Sequence, residues 1–467
     1  MKKSVFLPAL FLICTLPLFL FSQIRLPSFF SDHMVLQQKE EVRFWGWDEP
    51  GQKIIIRADW GSSASAHTDE DGKWETSIRT PSAGGPFQIT ISGSREIILN
   101  DVMTGEVWIC SGQSNMVMTL RSTYRHQPTY NGTDAILKAN QSRIRMYTAA
   151  TDASLTPLED MKGQWKTSST ENAAGFSAAA WFFGNQLEKV LDVPIGLIVT
   201  AWGGSKIEAW MDESSLLKSG ITSIPDQMPE RAQNHAPTLL YNAMLKPLAP
   251  FTARGFLWYQ GESNVGNAEE YTDLFSNMIK LWRHDFENPD MPFYFAEIAP
   301  YNYGDHNSAL LREAQLKTME NIPNTGMAST IDLGNCTNIH PGDKENVGRR
   351  LALWALSQTY GLEGFQYSGP IFKYMERTDD HKIKLSFNHA DYGFSTFGSP
   401  LKGFEISDSN ENFHPAQAEI SGSAITVWSD QVQNPKEVRY GFSNCPEATL
   451  YNTEKLPAPS FRTDDGN

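Results

Sequence analysis

Residues 105–116 read Gly-Glu-Val-Trp-Ile-Cys-Ser-Gly-Gln-Ser-Asn-Met: an apolar run at 107–110, a glycine-containing polar turn, then an apolar restart. A short run buried on both faces and followed by a tight turn and a helical pattern is the unit from which parallel sheets are built. The same rhythm recurs downstream. Apolar runs at 195–200, 256–259, 293–298 and 327–331 alternate with helical patterns at 177–191, 270–285, 308–322 and 344–360. The last pattern is followed by Gly361, a natural residue for ending a helix. Strands alternating with helices predict a doubly wound α/β domain over 101–361.

In such a sheet, ligands bind beyond the carboxyl ends of the strands. Each of those ends is therefore read for chemistry. The first strand is followed by Ser111-Gly112-Gln113-Ser114-Asn115-Met116 and the second by Ala201-Trp202-Gly203-Gly204-Ser205. The third is followed by Gln260-Gly261-Glu262-Ser263-Asn264, and the last by a long loop carrying His340-Pro341. Ser114 alone is equally a helix N-cap. A serine hydroxyl is a poor nucleophile without a base in hydrogen-bond reach, and His340 supplies one from a matching strand end. The developing oxyanion then needs fixed donors. The expected donors are the N–H of Ser114, a glycine N–H from Gly203-Gly204 and the side-chain amide of Gln260, with Asn264 as a rival for the amide role. Glu262 and Arg254 read as structural groups that pair with or buttress these loops.

The flanking regions are β-rich. Residues 23–100 contain alternating runs at 42–47, 53–58 and 87–92, separated by Asp48-Glu49-Pro50-Gly51, Asp69-Glu70-Asp71-Gly72 and Ala83-Gly84-Gly85-Pro86. This spacing predicts a small β-sandwich or jelly-roll module with a supporting or carbohydrate-binding role. Residues 362–467 return to strand-like runs at 383–387, 404–406, 424–428 and 437–440, read as a β-rich segment packed on the α/β domain.

Residues 1–22 combine Lys2 and Lys3 with a short apolar run broken by Pro8 and Pro17. That layout reads as a secretory signal peptide, with a retained anchor as the competing reading. Ile13 before Cys14 argues against a lipoprotein, and no later stretch approaches the roughly 20 apolar residues of a membrane span. Export to a periplasm or the exterior is expected, where two of Cys110, Cys336 and Cys445 have the opportunity to pair. Their spacing fits no zinc motif, and no cofactor is expected. A net charge of −15 argues against nucleic acid or anionic membranes as partners. The 13 Trp and 15 Tyr suit stacking on sugar rings as well as ordinary packing.

Five ordered blocks, GEVWICSGQSNM (105–116), TAWGGSKIEAW (200–210), LYNAMLKPL (240–248), WYQGESN (258–264) and IHPGDKENVGRRLA (339–352), resemble bacterial sialate O-acetylesterases of the SGNH-hydrolase superfamily. The tail at 439–464 is similar as well. The resemblance implies Ser114 as nucleophile, His340 as base, and Gly204 and Gln260 as oxyanion donors. It also implies an O-acetylated sugar, a sialic acid or a plant glycan, as substrate. One departure stands out. Many relatives carry an aspartate shortly before this histidine, whereas here the run is Asn335-Cys336-Thr337-Asn338-Ile339-His340 and the nearest upstream carboxylate is Asp332. Either Asp332 reaches across the loop or a backbone carbonyl orients the imidazole.

Three further readings compete. Acetylated xylan or pectin is a substrate for the same chemistry. A degenerate, non-catalytic carbohydrate-binding protein accounts for the missing aspartate. A glycosidase would use paired carboxylates such as Glu262 and Glu297, leaving Ser114 and His340 without a role.

Overall fold

The computed structural model describes residues 23–122, 128–409 and 412–464; the signal-peptide reading lies outside them. The centre of the chain is an α/β unit. Its strands run in the order Thr325–Ala328, Phe293–Ala296, Gly255–Tyr259, Glu96–Gly112, Ile195–Ala201, Gln141–Ala149 and Gly163–Ser168. All pairings are parallel except the last, which is antiparallel. The chain leaves the central strand toward one side and later returns to build the other, so the strand order reverses at Gly112. That is where a ligand crevice is expected.

Alternation within the strands explains the layering. Val107, Ile109, Phe256 and Trp258 face a core shared with the helix Ala268–Asp285. Trp108, Cys110, Leu257 and Tyr259 face a second core with the helices Ala178–Leu191 and Lys344–Trp354. Both faces are therefore apolar, and the runs read as continuous rather than alternating. The last helix continues through one wider turn, Ala355–Thr359, and ends at Gly361, whose φ is +68°.

Glu96–Gly112 crosses the expected boundary at residue 100. Its first part pairs antiparallel with Gly84–Ser92, and Met103–Gly105 pair parallel with Val35–Gln37. Its last part then enters the parallel sheet. The N-terminal β region is thus joined to the α/β unit through one strand rather than a linker. Two strands of the central sheet, Gln141–Ala149 and Gly163–Ser168, lie where the sequence pattern carried no strand expectation. The C-terminal strands, including Ile383–Asn388, Phe404–Ser407, Ala424–Trp428 and Glu437–Tyr440, enclose a third core. No described helix is long and apolar enough to cross a membrane.

Candidate active site

Gly112, Ala201 and Tyr259 stand side by side in the sheet, so the chain leaves all three strands at one level. Gly112 has φ +137°, and a Cβ there would lie 2.2 Å from the Tyr259 carbonyl. Only glycine allows that approach. The turn it permits is stitched to both neighbours. The Gln113 N–H donates to Tyr259 O (2.9 Å) and the Trp202 N–H to Gly112 O (3.1 Å). Gln113 Oε1 accepts from the N–H groups of Gly261 (3.3 Å) and Ser263 (3.4 Å).

Ser114 opens the four-residue helix Ser114–Val117 and is partly exposed. As the first residue of a helix, it has an N–H with no carbonyl behind it in the helix. Gly203 lies directly against it: a Cβ on that glycine would be 3.6 Å from Ser114 Cβ. The Gly203 carbonyl accepts from Asn234 Nδ2 (2.8 Å) and the Gly204 carbonyl from Ser263 Oγ (3.0 Å). Gly204 itself has φ +72°.

His340 is partly buried in the loop before the helix Lys344–Trp354. Its backbone N–H donates to Asn338 Oδ1 (2.9 Å). Asn115, next to Ser114, donates through Nδ2 to Ile339 O (3.1 Å) and to Glu262 Oε1 (2.5 Å). Lys344 Nζ donates to Asn115 Oδ1 (2.6 Å) and to Pro341 O (2.8 Å). The residues on both sides of His340 are thereby tied to the serine turn. Burial pushes the Glu262 carboxyl above its ordinary range, opposed by the Asn115 bond and the Lys344 charge. Burial brings the Lys344 ammonium down to about 7, opposed by Glu262 and Asp343.

Gln260 departs from its expected role as an oxyanion donor. It is fully buried, and its Nε2 donates to Ser205 O (3.0 Å) and Asn264 Oδ1 (2.7 Å). A primary amide has two N–H bonds, and both are engaged. Tyr271 OH donates to its oxygen (2.7 Å). Gln260 therefore braces the loops rather than facing the crevice. Asn264, the rival, is equally buried, with Nδ2 on Glu208 Oε2 (2.8 Å) and Oδ1 accepting from the Ile207 N–H (3.1 Å).

Asp332 makes a bidentate pair with Arg350 at 2.6 and 2.7 Å. Arg254 pairs with Glu106 (2.7 Å) at the far end of the sheet. Glu297 is fully buried, holding Ser329 Oγ (2.6 Å) and the Thr330 N–H (3.1 Å), so it offers no carboxylate to a glycosidic bond. Cys336 and Cys445 form a disulfide that joins the His340 loop to the C-terminal region; Cys110 is a buried free thiol. Asn234, Lys344 and Arg350 went unread in the sequence. Only Lys344 left a signal there, a cation on the first turn of a helix, where an anion is the favoured charge.

The profile of the carbohydrate esterase family described as sialic acid-specific acetylesterase matches residues 104–357. Sialate O-acetylesterases of Homo sapiens and Pongo abelii are each 30% identical to the chain, covering 98% and 97% of it and 98% and 96% of their own lengths. The crystal structure of a carbohydrate acetylesterase from Xanthomonas citri superposes with a TM-score of 0.87 at 37% identity, covering 95% of this chain and 100% of that one.

Proposed function

The chain belongs to the sialic acid-specific acetylesterase family of carbohydrate esterases and is a hydrolase of carboxylic esters; from that premise we propose that it deacetylates a sugar using Ser114 as nucleophile and His340 as base. The observation that carries this reading is the junction of three strand ends. The Ser114 turn lies against Gly203, and Asn115 bonds the residue before His340.

In the proposed reaction Ser114 Oγ attacks the acetyl carbonyl while the His340 imidazole takes its proton. The tetrahedral oxyanion is held by the N–H groups of Ser114 and Gly204. A trans peptide points its N–H opposite its C=O, so Asn234, holding the Gly203 carbonyl, turns the Gly204 N–H away from itself. The imidazolium then protonates the departing sugar oxygen, and water activated by the same imidazole releases acetate from Ser114. Two backbone donors suffice in this account without Gln260. In this reading the chain is an SGNH-type hydrolase, with the β-rich regions at 23–100 and 362–467 as supports.

A sialic acid ester is the first substrate reading, on the strength of the family. Acetylated xylan or pectin remains a second, because the Xanthomonas citri relative is named only as a carbohydrate acetylesterase. Export is part of the proposal and is supported by the Cys336–Cys445 disulfide, a feature of oxidising compartments. Hydrolysis of 4-nitrophenyl acetate by the wild type and by Ser114→Ala tests the chemistry; equal rates would remove Ser114 from the mechanism. Acetate release from O-acetylated sialic acid compared with acetylated xylan tests the substrate.

A further inference from the structure

We propose that Glu262, Asn115 and Lys344 form a positioning clamp that holds His340 by its backbone against the Ser114 turn. The inference rests on the reading of Ser114 and His340 given above.

Lys344 is the anomaly that points to the clamp. It is fully buried, and it occupies the first position of the helix Lys344–Trp354. A cation there meets the positive end of the helix dipole and loses its hydration, two unfavourable terms. The ammonium nevertheless makes two short bonds, to Asn115 Oδ1 (2.6 Å) and Pro341 O (2.8 Å), over the Tyr259 ring at 5.2 Å. Asn115 is equally buried and is oriented by charge at both ends of its amide. Its oxygen faces the ammonium, and its Nδ2 faces the Glu262 carboxylate (2.5 Å). Flipping the amide would set oxygen against carboxylate and N–H against ammonium. In the one orientation allowed, the remaining amide hydrogen reaches Ile339 O (3.1 Å).

The carbonyls at 339 and 341 are therefore anchored to a single side chain adjacent to the nucleophile, one directly and one through Lys344. An orienting carboxylate normally fixes the imidazole from its ring nitrogen. Asn338, close to where that acid is expected, accepts from the His340 backbone N–H (2.9 Å). Asp332 is paired with Arg350. Fixing the backbone on both sides narrows the positions the imidazole can take, which is what general-base catalysis requires.

The test compares Asn115→Ser, Lys344→Met and Glu262→Gln with the wild type, Ser114→Ala and His340→Ala in the intact chain. Rates with 4-nitrophenyl acetate are normalised to the protein that melts cooperatively. Serine at 115 is too short to reach Ile339 or Glu262. Asn115→Ser and Lys344→Met are expected to lower kcat by about 100-fold, the loss expected for a misplaced catalytic group, with KM little changed. The acid limb of the pH profile, set by the base, should flatten in both. Glu262→Gln keeps an acceptor for Asn115 and should stay within about tenfold of wild type. A folded Asn115→Ser enzyme with wild-type kcat and an unchanged acid limb would overturn the clamp, as would losses that track only the folded fraction. Asn115→Ser decides the matter by itself if Lys344→Met does not fold. Full turnover by Ser114→Ala or His340→Ala would instead defeat the catalytic assignment beneath it.

Discussion

Asn234 holds the Gly203 carbonyl at 2.8 Å, and in the proposed mechanism that single bond aims the Gly204 N–H. Replacing Asn234 with alanine leaves the peptide free to rotate while both glycines remain. The expected result is a fall in kcat of about tenfold to 100-fold, short of the 10²–10³ associated with deleting a donor outright, with little change in KM. Steady-state kinetics on an aryl acetate measure it. Ser114→Ala should lower kcat by at least about 10³-fold while leaving Tm nearly unchanged, because the residue is partly exposed and outside the core. That the loops of Ser114, Gly203-Gly204 and His340 come together was legible because strand ends in a parallel sheet converge, and polar or glycine residues there stand out against apolar runs. Gln260 was read at the right strand end, but which way a side chain turns depends on neighbours remote in sequence. Its partners Ser205 and Asn264 carry no mark in the pattern. Asn234 lies in an irregular excursion between two strands and has no periodicity to reveal it.

The loop from Asp332 to Asp343 is held as an element by three devices: the Asp332–Arg350 pair, the disulfide at Cys336, and the bonds at Ile339 and Pro341. The ion pair is nearly buried, with side-chain exposures of 11% for Asp332 and 6% for Arg350. Removing one partner of such a pair leaves an uncompensated charge and costs about 3–5 kcal/mol, whereas removing both is milder. Asp332→Asn and Arg350→Met should therefore each lower Tm, and the double variant should melt above the sum of the two losses. An Asp332→Asn protein with wild-type Tm but a lost acid limb would show instead that Asp332 orients His340. The runs at 195–200 and 256–259 were read within a residue of the observed strands because they are continuous and apolar, whereas the runs at 293–298 and 327–331 extend two and three residues past the strand ends at Ala296 and Ala328. Gln141–Ala149 was missed because it begins Gln-Ser-Arg-Ile-Arg, a polar start that resembles a loop. Arg145 in that strand is buried with Asp101 meeting it at 2.7 and 3.0 Å and the Ser142 and His33 carbonyls accepting from it, contacts of which those with Asp101 and His33 are invisible in local sequence.

Across the whole molecule, the C-terminal β region is fastened to the α/β unit by polar contacts as well as by its core. Arg312, fully buried, donates to Ser460 Oγ (2.9 Å), Ser308 Oγ (3.0 Å), Gly441 O (3.1 Å) and Ser443 O (2.6 Å). Arg462 pairs with Glu313 at 2.9 Å through Nε and again through Nη2. The disulfide closes a separation of 109 residues between the His340 loop and this region. In the chain-entropy account, a cross-link of that span restricts the unfolded chain by about 4.7 kcal/mol, and the contribution realised in proteins is typically about 2–4 kcal/mol. Cys336→Ser/Cys445→Ser should therefore melt several degrees below the wild type. A thiol reductant should lower the wild-type Tm toward that of the variant and leave the variant where it is. Turnover below the transition should be retained, because Ile339 and Pro341 are held through Asn115 and Lys344 without the cross-link. Melting curves with and without reductant, paired with aryl acetate turnover at 25 °C, separate the two contributions. A loss of turnover at a temperature where the variant is fully folded would mean that the cross-link, and not the clamp, sets the position of His340.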